Sequence, residues 1–169
     1  MNKTEYWLSG PVEAVPALLQ PVAHALLQAK AEIEEAMNDF PENLLWTKPA
    51  GVASVAFHLQ HIPGVLDRLF TYAKGEQLSQ AQLDYLSKEG KDNPAIKLQE
   101  LLDHLSKETD RAIEYLKQIK DDSLLQPRGV GRKQLPSNVL GLLFHSAEHA
   151  QRHTGQLLVT AKVLKEGYR

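Results

Sequence analysis

Three histidines follow one another at four-residue intervals in FHSAEHAQRHTGQ, residues 144–156: His145, His149 and His153. A helix advances about 100° per residue, so positions i and i+4 lie about 40° apart on one face. His149 and His153 are therefore placed to share one metal ion, and His145 extends the stripe by a turn. A tight site needs a further nitrogen from another element. FHLQHIPG, residues 57–64, offers two, His58 and His61. Alone, a pair at i, i+4 also suits a wet surface or a core. Five of the seven histidines fall in these two segments, and that clustering favours a metal site. His24 and His104 stand apart and read as structural.

The chain has no cysteine. Disulfides, thiolate ligands and a cysteine nucleophile are excluded. His, Asp and Glu remain as the strong candidates for metal donors. Three neutral imidazoles leave coordination positions for water or substrate, as in catalytic rather than closed zinc sites. A competing pattern overlaps the same residues. HSAEH, residues 145–149, fits H-x-x-E-H, in which both histidines bind zinc and Glu148 would be a general base. The chain's small size and helical pattern argue against a peptidase cleft. Glu148 lies about 100° around the helix from His149 and is expected to point away from a metal.

The elements that must position these residues are helical almost throughout. Leu18, Leu19, Val22, Ala25, Leu26 and Ile33 recur at helical spacing, which predicts a first helix from after Gly10-Pro11 to about Phe40. FPENLLWTKPAG, residues 40–51, reads as a connection. A second helix is expected from Ser54, its cap, to Lys74, with Pro63 either kinking it or marking a later start. A short helix fits between Gly75 and Gly90. Asn93-Pro94 reads as the start of a third long helix, to about Lys120. Residues 121–136 read as loop. Ser137 is the expected cap of a last helix that runs to about Lys165 and stops at Gly167. No strand is evident. The class is all-α, a four-helix bundle with a short extra helix between helices two and three.

With 169 residues the chain suits one domain with a real core. Its 19 basic and 21 acidic residues give a formal net charge of −2, which gives no support to a nucleic-acid partner. MNKTEYWLSGPVEAVPALLQ, residues 1–20, lacks the apolar run of a signal peptide. No apolar run is long enough to span a membrane. A cytoplasmic location is the default expectation.

At the histidine segments the sequence resembles the DinB-like superfamily, four-helix-bundle metalloenzymes that include thiol-dependent S-transferases. That family's last core helix carries H-x-x-x-H followed closely by Gly-Gln; here this is HAQRHTGQ, residues 149–156. The family often has Arg directly before Gly-Gln. This chain has Thr154 there, with Arg152 two residues earlier. ASVAFHLQHI, residues 53–62, is similar to the opening of the family's second helix, and the spacing from Ser54 selects His61 over His58. WTKPAG, residues 46–51, looks like the loop before it. The resemblance implies a zinc or nickel ion held by His61, His149 and His153, an up-down-down-up bundle, and a homodimer.

Two functional classes follow. One is a metal-dependent S-transferase or hydrolase acting on a small molecule, such as a low-molecular-weight thiol. The other is a non-catalytic dimeric bundle whose histidine site is structural. His58 and His145 each sit a turn from an implied ligand. Each either orients a ligand or moves a proton, or simply lines a polar cavity mouth. Gln156 is expected as a hydrogen-bond partner rather than a ligand, and Gly155 as a point of close helix approach.

Overall fold

The computed structural model describes residues 4–167; the first residues of the N-terminal stretch, read above for a signal peptide, lie outside them. The fold is mostly helical. Four long helices run over α1 (Gln20–Met37), α2 (Val55–Ala73), α4 (Leu98–Leu116) and α5 (Val139–Lys165), and a short α3 (Gln80–Lys88) follows α2. Both α1 and α2 pack against both α4 and α5, and α3 packs on α2. The core lies between the long helices, with Leu26, Ile33, Leu59, Leu105, Leu116, Leu143 and Leu157 almost wholly removed from water. Among the described residues no helix is long and apolar enough to cross a membrane.

α1 begins later than its periodicity predicts. Single turns of 3-10 helix at Tyr6–Leu8 and Ala17–Leu19 precede it. Ala14 adopts a left-handed φ of 60°, which breaks any helix through it. The Gln20 side chain holds the bend, accepting from Val12 N at 2.7 Å and donating to the Val12 and Val15 carbonyls at 2.9 and 2.8 Å.

α2 starts where expected, with Ser54 Oγ accepting from Phe57 N at 3.2 Å. It continues through Pro63 rather than starting after it. Most of its circumference is buried, so packing offsets the hydrogen bond that a proline cannot donate. α3 opens on a capping box: Ser79 Oγ accepts from Gln82 N, and Gln82 Oε1 accepts from Ser79 N.

Three expectations need correction. α4 starts at Leu98 rather than beside Pro94. Asn93 instead closes a local turn, accepting from Ala95 N at 3.2 Å, while Glu100 accepts from Lys97 N at the true start. Residues 121–136 are not all loop. β1 (Pro127–Val130) and β2 (Leu135–Asn138) form an antiparallel hairpin, with Val130 opposite Leu135 and Pro127 opposite Asn138. Pro127 and Pro136 disguise it, since proline is confined to sheet edges and strand ends. Ser137 is therefore strand, and Asn138 caps α5 by accepting from Gly141 N at 2.7 Å.

Candidate metal centre

The packing of α2 on α5 brings the two histidine segments together. His149 and His153 stand one turn apart on α5 with ring centroids 4.5 Å apart. His61 meets both from α2. Its Nε2 lies 3.0 Å from Nε2 of His149, and its ring stands edge-on to His153 at 4.6 Å. One ligand atom from each of the three residues lies within 4.8 Å of the other two. The edge of a tetrahedron with metal–nitrogen bonds of 2.0–2.1 Å is about 3.3 Å. The 3.0 Å between Nε2 of His61 and Nε2 of His149 is close to that edge.

Two neighbours hold these rings from outside. Glu89, the residue after α3, lies with Oε2 2.6 Å from Nδ1 of His61. His58, one turn before Ile62 and almost fully buried, lies with Nδ1 3.0 Å from Nδ1 of His153. Phe57 stacks on His61 with centroids 4.9 Å apart and planes 16° from parallel. Nδ1 of His149 is buried and has no hydrogen-bond partner, so this imidazole is one partner short.

Burial keeps His58, His149 and His153 neutral. Burial pushes His149 and His153 down to about 4, and the positive charge that His61 would carry adds to the effect for both. Burial and the same neighbour bring His58 to about 4. At neutral pH these nitrogens carry lone pairs rather than second protons, the state a metal ligand needs. Nitrogen donors and neutral rings fit a divalent metal ion.

His145 sits at the rim. Its ring lies 5.3 Å from that of His149, and its Nδ1 is 2.7 Å from Glu148 Oε1. Glu148 lies outside the group of His61, His149 and His153. With His145 and His149 it forms a second group of potential ligands. Arg152 also reaches its carboxylate, at 2.6 Å. Burial opposes the shift, but hydrogen bonds from Arg152 and His145 hold the Glu148 carboxyl below its usual range. A carboxylate so engaged is poorly placed as the base of an H-x-x-E-H peptidase. His24 meets the Gly10 carbonyl at 3.0 Å and His104 meets the Tyr85 hydroxyl at 3.2 Å, both away from the cluster.

A cavity of about 620 Å³ opens beside His58, lined by Val52, Arg152, Gly155, Gln156 and Val159 among others. That volume suits a small molecule. Gly155 does not admit a neighbouring helix: nothing lies within 4 Å of where its Cβ would be. Glu89, with its partner Arg68, escaped the sequence reading. It is 28 residues from His61, and no periodicity links the two.

Solved structures of similar shape exist. A conserved protein from Enterococcus faecalis superposes with a TM-score of 0.71 at 20% identity, covering 88% of this chain and 98% of its own. A protein from Streptococcus pneumoniae gives a TM-score of 0.65 at 14% identity, covering 98% of this chain and 99% of its own. At such identities the likeness is one of fold. No curated protein matches the sequence. The family model of the DinB superfamily matches residues 25–157, a span that takes in all three clustered histidines and the four long helices apart from their outer ends, and the chain belongs to that superfamily.

Proposed function

We propose that this chain is a metal-dependent enzyme that holds a divalent ion, zinc or nickel, with His61, His149 and His153. The observation that carries the reading is the meeting of three imidazoles from two helices, with ligand atoms within 4.8 Å of one another. Held there, a divalent ion supplies a Lewis acid that lowers the pKa of a bound water or thiol. The chain's own residues do the rest. Glu89 Oε2 accepts a hydrogen bond from Nδ1–H of His61, and His58 faces Nδ1 of His153, which leaves Nε2 of each ring for the ion. His58 and Arg152 line the cavity, where they face a small substrate. His145, half-exposed at the rim and bonded to Glu148, is placed to exchange a proton with solvent.

Family membership supports an up-down-down-up bundle, a homodimer, and a thiol-dependent S-transfer or a hydrolysis as the reaction. The test has two steps. Metal analysis of purified protein and titration with zinc and nickel address the site, with His61→Ala and His149→Ala as controls. Absence of uptake by wild-type protein refutes the reading. Thiols are then screened with monochlorobimane against the His153→Ala variant.

A second reading has its own observation. His61 with His149, and His58 with His153, already bridge α2 and α5. A non-catalytic bundle would use those bridges, with or without an ion, only to pin two helices. Metal uptake without turnover of any thiol or simple ester favours it.

A further inference from the structure

We propose that Glu89 is the positioning residue of the centre: it fixes His61 as the Nδ1–H tautomer, so that the Nε2 lone pair faces His149 and His153. This rests on the reading of His61 as a ligand. A neutral imidazole carries one proton, and the hydrogen bond at one nitrogen decides which nitrogen is free. Glu89 Oε2 lies 2.6 Å from Nδ1 of His61, and a carboxylate there can only accept. The free lone pair is then at Nε2, the nitrogen that meets His149.

The carboxylate is itself held. Its side chain is only 4% exposed, and Oε1 takes a hydrogen bond from Arg68 Nη1 at 2.5 Å. A buried carboxylate persists only with such partners. Gly64 makes room for the arrangement, since a Cβ there would collide with Glu89 Oε1 and lie 2.9 Å from Arg68 Nη1. Gly90, at φ 72°, turns the chain just after Glu89. Its N–H donates to Gln60 Oε1 at 2.8 Å, which fastens the end of α3 to α2. A Cβ on Gly90 would lie 2.8 Å from the Phe57 ring, and Phe57 stacks on His61. Glu89 thus sets the rotation of the imidazole in its plane, and Phe57 sets the plane. The short helix α3, peripheral to the core, delivers the carboxylate.

The test uses long-range proton–nitrogen NMR of the histidine rings in metal-free protein, and zinc affinity by chelator competition. Metal-free wild type should show His61 protonated at Nδ1. Glu89→Ala should move it toward the Nε2–H form and weaken zinc binding about 10–100-fold. Glu89→Gln, nearly isosteric, keeps an acceptor oxygen and should retain the tautomer with a smaller loss of affinity; it decides the matter if the alanine variant does not fold. A folded Glu89→Ala protein with the wild-type tautomer overturns the assignment, as does Glu89→Gln with undiminished zinc affinity. Wild-type protein that takes up no ion, yet shows the tautomer change on Glu89→Ala, upholds Glu89 and refutes the metal reading alone.

Discussion

Nδ1 of His58 lies 3.0 Å from Nδ1 of His153, so one ring donates and the other accepts. With His153 as donor its Nε2 stays free for a metal, and His58 carries its own proton at Nε2. His58 is then to His153 what Glu89 is to His61. The two outer partners differ in kind, one a neutral imidazole and the other a carboxylate. His58→Ala removes the acceptor and empties buried volume. Zinc affinity should fall about 10–100-fold by chelator competition, with a loss of stability as well. A folded variant with unchanged affinity refutes the role.

The neutral histidines make metal-free protein acid-sensitive above the carboxylate range. His58, His149 and His153 are each held down to about 4, below the unfolded value of about 6.5. Between those values the unfolded chain binds protons that the folded chain does not. The stability from keeping these rings neutral is complete above the unfolded value and is lost as pH falls toward the folded one. The urea midpoint of metal-free protein should therefore drop between about pH 7 and about pH 5. A midpoint flat across that window counts against neutral burial of these rings.

The two helix caps show what sequence can and cannot convey. Ser54 was legible because a cap acts three residues ahead, within the window that periodicity scans. Asn138 was not, and the cap was expected at Ser137. What selects Asn138 is that β2 runs on through Ser137 and ends at Asn138, whose Oδ1 reaches Gly141 N, a boundary set by the hairpin rather than by the local pattern. The centre divides the same way. His149 and His153 were legible as a face of one helix, whereas Glu89 reaches His61 only through the placement of α3. Asn138→Ala should cost about 1 kcal/mol of unfolding free energy, and Ser137→Ala much less. Equal losses in urea denaturation would mean that the cap is misassigned.

Gly64 offers a test whose sign is informative. In a helix interior Gly→Ala ordinarily stabilises by about 1 kcal/mol. At Gly64 the new Cβ meets the Glu89 carboxylate, lies 2.8 Å from a Tyr85 ring carbon, and crowds Arg68. Overpacking of this kind costs about 1–3 kcal/mol, and it strikes the group that holds His61. Gly64→Ala should lower both stability and zinc affinity. A stabilised variant with normal affinity would show that Glu89 has room to spare.

Gly155 gives the opposite expectation. It faces the cavity of about 620 Å³ with open space around its missing Cβ. The Cβ of Gly155→Leu therefore meets no neighbour within 4 Å, and the substitution gains helix propensity of about 0.8 kcal/mol. Its side chain occupies the space beside His58 and Arg152 assigned to the substrate. Thermal stability should hold or rise, and zinc affinity should stay at the wild-type level. Turnover of the thiol acceptor should fall roughly tenfold or more, because a displaced substrate loses its reactive geometry. This separation of stability, metal binding and activity is not expected of a bundle whose histidines serve structure alone. A leucine variant as active as wild type would place the substrate elsewhere on the molecule.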